Sequence, residues 1–331
     1  MVTQRPCVAV IGTGSIGTRH LAVLKRMQGL RIIAVPLRPS RAEEFRAGGY
    51  EAATSLEGAV GLGATHCIVA TDTGRHLRDG LAAAALGLHL LVEKPLAKDA
   101  AEAAWLYREA TAAGRKVFVA CVMRFARSLW RFRELLSDIG RVHAVRVECQ
   151  SYLPDWRPTR PFRESYSARP DEGGVLRDLI HEIDYAGWLY GWPETVQARV
   201  TNHGQLGIEA EEAAELLWEA RDGAEVSLRV DYLSKPTRRR MTAFGQKGTL
   251  EWDGVQNAVT VWSDKASPVQ AEFPQGKDEL LEAQTRAFLD ATAGLDANVL
   301  APGLDGVRAL AVCDAARRAS EARREEKVAY L

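Results

Sequence analysis

The stretch Val8-Ala-Val-Ile-Gly-Thr-Gly-Ser-Ile-Gly17 decides the fold of this 331-residue chain. A short apolar run leads into glycines at 12, 14 and 17, the spacing G-x-G-x-x-G, and a helical pattern follows at 16–27. Strand, glycine turn and helix in that order suit a dinucleotide. Gly12 allows the tight turn, Gly14 lets the backbone approach a pyrophosphate, and Gly17 permits close helix–strand packing. Ser15 and Ile16 open the helix, whose free N–H groups and positive dipole end favour phosphate.

Working outward, apolar runs at 8–11, 32–35, 67–70, 89–92 and 117–120 alternate with helical patterns at 16–27, 42–47, 76–86 and 100–113. Alternation at this spacing predicts βαβ units and a parallel sheet covered on both faces. The second half changes character. One helical pattern spans 175–190, and period-two runs follow at 196–201, 214–219, 225–232, 240–244, 249–252 and 258–262. Two late helical patterns, 279–292 and 304–323, close the chain. The fold class is therefore an α/β Rossmann domain over residues 1–121, followed by an α+β domain over 122–331 with a mostly antiparallel sheet.

Composition narrows the function. Lys+Arg and Asp+Glu both number 43, so the basic footprint of a nucleic-acid binder is missing. Apolar residues make up 47% and charged residues 26%, which is globular. No apolar run reaches the roughly 18 residues of a membrane span. The first strand begins at residue 8, leaving no room for a signal peptide. Five scattered cysteines without a CxxC pair read as reduced thiols of a cytoplasmic protein, with neither a zinc site nor a disulfide frame. No histidine shows metal-ligand spacing, so no metal is expected.

The second strand bears on the cofactor. NAD sites place a carboxylate there for the ribose 2′-hydroxyl. Here Arg38, Ser40 and Arg41 stand instead. Guanidinium and hydroxyl groups suit a 2′-phosphate, which favours NADP(H) and keeps NAD(H) as the alternative. Read blandly, these are solvated loop residues, with Ser40 a helix N-cap.

Three further motifs occur in order: Thr65-His-Cys-Ile-Val-Ala-Thr-Asp-Thr-Gly-Arg-His76, Leu90-Leu-Val-Glu-Lys-Pro-Leu96 and Gly173-Gly-Val-Leu-Arg-Asp-Leu-Ile-His-Glu-Ile-Asp184. With the glycine turn they resemble the Gfo/Idh/MocA oxidoreductases, relatives of glucose–fructose oxidoreductase and inositol dehydrogenase, over essentially the whole chain. The resemblance implies an open second sheet whose bare face pairs subunits, hence a homodimer or homotetramer. It implies hydride transfer between a nicotinamide and a secondary alcohol or ketone of a sugar-type substrate. By position, Ala70, Thr71 and His76 match the loop along the cofactor, Glu93 the nicotinamide-ribose contact, and Lys94 the catalytic lysine. In the family the proline after that lysine is often cis. Arg124 matches an arginine that reaches cofactor or substrate, and His181 the catalytic histidine. Many members carry Asp-x-x-x-His, whereas Asp178 and His181 are three apart. Either spacing places both side chains on one face of a helix.

In that setting His181 takes or returns the hydroxyl proton, Asp178 orients it, and Lys94 donates to the oxygen as negative charge grows. The segment 151–169 interleaves Tyr152, Trp156 and Tyr166 with Arg157, Arg160, Arg163 and Arg169. Aromatic faces stack on sugar rings, and arginine forks hold phosphate or carboxylate. A sugar nucleotide or sugar acid is one expectation; ion pairs across a subunit interface are the other. Two other functions fit the same residues. An NAD-dependent glycosidase would release sugar without net cofactor turnover, and a non-enzymatic NADP sensor would not need Lys94 and His181.

Overall fold

The computed structural model describes residues 5–156, 161–263 and 266–330. They form two compact units, Met1–Val122 with Gly276–Val307, and Met123–Gln275 with Arg308–Leu331.

In the first unit β1 (Cys7–Ile11), β2 (Arg31–Val35), β3 (Glu51–Ala52), β4 (His66–Val69), β5 (His89–Val92) and β6 (Val117–Val119) pair in parallel. Their spatial order is β3-β2-β1-β4-β5-β6, that of a Rossmann sheet. Every residue of β1 and β4 is buried, which is why both read as unbroken apolar runs rather than alternating ones. The chain runs outward from β1 to β3 and then returns to the other side of β1. The carboxyl ends of β1 and β4 therefore flank a topological switch point, where open α/β sheets bind ligands.

The sequence reading placed everything after residue 121 in the second domain, but residues Gly276–Val307 fold with the first. The cause is local. Asp278, in the first turn of the helix Lys277–Thr292, accepts from Arg19 and Arg26 at 2.7 Å each. Ala301–Pro302 then adds an antiparallel strand beside β6.

The same helix encloses His66. Its ring nitrogens lie 2.8 Å from Thr65 Oγ1 and 2.8 Å from Thr292 Oγ1, and Phe288 packs edge-on against it at 5.4 Å. Burial, reinforced by the neighbouring His89, pushes the His66 pKa down to about 4. The folded protein thus favours neutral His66, while the unfolded chain protonates near the ordinary value of 6.5. Stability from this group is complete above that value and declines as pH falls toward 4, by at most about 3 kcal/mol. Urea unfolding between pH 7 and pH 5 should show a steeper loss for the native chain than for His66→Asn; parallel curves would refute the assignment.

The second unit holds β7 (Val142–Gln150), β8 (Thr195–Thr201), β9 (Ala213–Glu219), β10 (Glu225–Asp231), β11 (Arg238–Gly245), β12 (Gly248–Asp253), β13 (Ala258–Ser263) and β14 (Ala266–Glu272). Their order is β14-β13-β12-β11-β7-β10-β9-β8. Only β7 and β10 pair in parallel; the other neighbours are antiparallel. One face is packed. Val226, Leu228 and Val230 of β10 are buried beside Leu216 and Trp218 of β9. The alternate residues Glu215, Leu217 and Arg229 are exposed, so this part of the sheet has an open face. The helix Arg127–Leu135, which sequence reading did not find, packs on β12 and β13, and Ser128 Oγ accepts from the buried Trp252 Nε1 at 2.9 Å.

The pattern at 175–190 is two helices, Val175–Asp178 and Ile180–Tyr190, broken at Leu179 with φ −98° and ψ 32°. Residues Ile180 to Gly187 are buried all round, as the core helix of a domain should be. Among the described residues, no helix is long and apolar enough to cross a membrane. The five cysteines are free, buried thiols.

Candidate active site

The glycine turn lies at the switch point. Gly12 has φ +87°, and a Cβ there would stand 2.6 Å from Ala70 O. A Cβ on Gly17 would meet Gly12 O at 1.8 Å, so the helix sits directly on the turn. At Gly14, by contrast, a Cβ would meet nothing within 4 Å. The helix Ser15–Arg26 has no acid in its first turn and carries Lys25 and Arg26 in its last, leaving its positive end uncompensated. Ser15 is exposed and Ile16 half-buried at that end. Across the turn Thr71 is 8% exposed, and its buried Oγ1 has no hydrogen-bond partner among the described residues. Open space at Gly14, an uncompensated helix start and an orphaned hydroxyl fit a dinucleotide.

Arg38 and Ser40 are exposed. Arg41 donates to Glu44 Oε2 at 3.0 Å and to Thr13 O at 3.4 Å, so its charge has a carboxylate beside it. The motif residues leave the end of β5, where Glu93 N donates to Val69 O at 2.9 Å. The carboxylate of Glu93 is held by His20 Nε2 at 2.8 Å, and its second oxygen accepts from Lys94 N at 3.3 Å. Burial alone would raise the Glu93 pKa, but the His20 hydrogen bond and the Lys94 charge outweigh it and hold the group below the usual carboxylate range. Lys94 is half-buried, and the Lys94–Pro95 peptide is cis.

His76 calls for a correction. The motif position predicts it along the cofactor, yet it is 1% exposed, with Nδ1 2.8 Å from Pro95 O and Nε2 2.9 Å from Thr71 O. Both ring nitrogens are engaged inside the unit. His76 ties the Ala70–Thr71 loop to the Lys94–Pro95 turn rather than facing a ligand.

In the second unit Asp178 is 2% exposed, and Tyr232 Oη donates to its Oδ2 at 2.7 Å. Burial and the Asp178 charge push the Tyr232 phenol well up, so it stays a donor. Because the helix breaks at Leu179, Asp178 and His181 belong to different helices, so their spacing is not that of one continuous helix. His181 is 9% exposed. Trp156 packs edge-on against Tyr232 at 5.4 Å and donates to Ser151 Oγ at 2.6 Å. Tyr152 lies under Lys235 Nζ at 3.7 Å. These two aromatics of the segment 151–169 thus gather where β10 ends, beside the Asp178 partner.

The arginines of that segment fare differently. Arg169 is exposed and pairs with Glu172, so its charge is already matched, against the expected role as a substrate anchor. Arg163 donates to Leu206 O at 3.0 Å. Tyr166 is half-buried. Arg157 and Arg160 lie outside the described residues. Arg124, expected to reach cofactor or substrate, is 1% exposed, donates to Asp184 at 2.9 and 2.6 Å, and stacks on Trp188 at 5.4 Å. That geometry makes it half of an internal ion pair. Sequence reading missed the partners Tyr232, His20 and Asp184. Tyr232 gave a signal: a phenol on the packed face of a strand needs an acceptor. His20 gave one too, lying three residues after Gly17 on the buried side of its helix. No cluster of three or more His, Cys, Asp or Glu is arranged to hold a metal among the described residues.

This architecture defines a nucleotide-binding oxidoreductase. Residues 7–121 match the oxidoreductase family with an NAD-binding Rossmann fold, and residues 131–251 match the GFO/IDH/MocA C-terminal domain. The chain belongs to the Gfo/Idh/MocA family, and it is a dehydrogenase acting on CH–OH groups. It is 25% identical to an inositol 2-dehydrogenase of Rhizobium meliloti, across 97% of this chain and 98% of that one. A levoglucosan dehydrogenase solved with NADH and L-sorbose superposes with a TM-score of 0.87 at 18% identity, covering 99% and 100% of the two chains. A UDP-N-acetylglucosamine 3-dehydrogenase from Acidithiobacillus ferrooxidans does so with 0.81 at 22% identity, covering 96% and 98%.

Proposed function

We propose that the protein transfers a hydride between NAD(H) and a secondary alcohol or ketone of a polyhydroxylated, sugar-type substrate. The observation that carries this reading is the place of Lys94. It stands two residues past the end of β5, beside a switch point that leaves room at Gly14, and next to a Glu93 carboxylate fixed by His20. Lys94 donates to the substrate oxygen and stabilises it as negative charge develops. His181 accepts the hydroxyl proton in oxidation and returns it in reduction. Asp178, held by Tyr232, sets the polarity around His181. The bound nicotinamide supplies the hydride acceptor or donor. Trp156 and Tyr152 offer apolar ring faces to a sugar.

The cofactor preference read from sequence does not carry over. Arg41 already has the Glu44 carboxylate beside it, and that carboxylate would repel a 2′-phosphate. The structural relative solved with NADH points the same way. NAD(H) is therefore the proposed cofactor, and fluorescence titration should give a Kd roughly tenfold lower for NADH than for NADPH, the scale of one charge-assisted contact. Tighter NADPH binding would reverse the assignment. The function itself is tested by a screen of cyclitols, sugar acids and sugar nucleotides with the cofactor-loaded protein, followed through reduced-nicotinamide absorbance. Sugar release without net cofactor turnover would replace dehydrogenation with glycosidic cleavage.

A further inference from the structure

His20 stands outside every motif used so far, yet it is the partner of Glu93. It is fully buried on the helix Ser15–Arg26, facing the sheet. Its Nε2 lies 2.8 Å from Glu93 Oε1. Its Nδ1 is buried and has no hydrogen-bond partner among the described residues. Chemistry then sets the tautomer. A carboxylate only accepts, so the proton belongs on Nε2, and a proton on Nδ1 would be a buried donor without an acceptor. The other Glu93 oxygen accepts from Lys94 N. One carboxylate therefore joins the helix that starts at the glycine turn to the peptide that carries Lys94.

We propose that His20 is a positioning residue: its Nε2–H fixes the Glu93 carboxylate in the rotamer that meets the cofactor ribose, coupling the phosphate-facing helix to the Lys94 segment. This rests on the reading of Glu93 as a ribose contact. The physical argument is preorganisation. A glutamate that swings among rotamers must be ordered when the cofactor arrives, and that ordering weakens binding. A glutamate already held by a charge-assisted hydrogen bond in a buried setting incurs little of that cost. The effect falls on cofactor affinity first and on the chemical step second, because Glu93 is the neighbour of Lys94 and not the proton carrier.

The experiment compares two amide variants by fluorescence titration with NADH. In His20→Gln the amide nitrogen can occupy the place of Nε2 and donate to Glu93. In His20→Asn the shorter side chain puts its nitrogen near the place of Nδ1, out of reach. His20→Asn should raise the NADH Kd roughly tenfold, the scale of one charge-assisted hydrogen bond, while His20→Gln stays within about threefold of the native protein. In a Glu93→Ala background His20→Asn should add nothing further, since its effect passes through that carboxylate. Equal affinities for the two single variants, or a full effect of His20→Asn without Glu93, overturn the inference. If Glu93→Ala alone leaves the NADH Kd unchanged, the reading of Glu93 as a ribose contact is what fails. Should His20→Asn not fold, His20→Leu, which keeps much of the volume and no donor, takes its place: an NADH Kd within about threefold of native overturns the inference, and a roughly tenfold rise that vanishes in the Glu93→Ala background supports it.

Discussion

Lys94→Ala is expected to lower kcat by roughly 10²–10⁴-fold, and His181→Ala by a similar factor, the range for losing an oxyanion donor or a general base. NADH affinity should stay within about threefold in either variant, because neither change removes the glycine turn or the His20–Glu93 hydrogen bond. The two effects should not add. Groups that serve one proton transfer act as a unit, so the double variant should fall only slightly below the worse single one. The pH dependence carries separate information. If His181 takes the hydroxyl proton as proposed, kcat/KM for oxidation should show an acid limb that His181→Ala lacks. Stopped-flow and steady-state rates with the substrate found by screening measure both quantities. Turnover within threefold of native for Lys94→Ala would remove the lysine from the mechanism, and a retained acid limb in His181→Ala would assign that titration to another group.

How far the sequence reached depends on whether a feature is local. The strands β1, β2, β4, β5 and β6 were legible because parallel strands covered on both faces become plain apolar runs. The glycine turn was legible because its chemistry is written in consecutive residues. The pairs that make the site work are not local. Tyr232 lies 54 residues from Asp178, and His20 lies 73 from Glu93. Nothing in a strand or helix pattern announces such a contact, beyond the need of each buried polar group for a partner. The break at Leu179 escaped for another reason, since the flanking residues keep a helical apolar period right through it. The return of Gly276–Val307 to the first unit escaped because helix periodicity says that a face is buried, but not against what. Arg169 shows the opposite hazard: in sequence it is an unmatched charge, and in the fold Glu172, three residues on, has matched it.

Arg124→Met should be the most damaging single change to stability among the polar groups described. Arg124 and Asp184 are each 1% exposed and joined by two hydrogen bonds of 2.9 and 2.6 Å, with the guanidinium stacked on Trp188. The methionine matches much of the apolar stem but takes two N–H donors from a buried carboxylate. Breaking one side of such a pair costs about 3–5 kcal/mol, because the remaining charge stays buried without its partner. Urea unfolding at pH 7 should show that loss in the second unit. The pH response has a definite sign. Without the Arg124 guanidinium, burial favours the protonated Asp184 carboxyl in the fold. The gap between native and variant stability should then shrink as pH falls from 7 toward 5. Removing both charges in Arg124→Met/Asp184→Leu should recover most of the loss, since an apolar pair of similar volume often equals a buried ion pair. A double variant as unstable as Arg124→Met would show instead that the packing of the Arg124 stem against Trp188, and not the stranded charge, is what the second unit depends on.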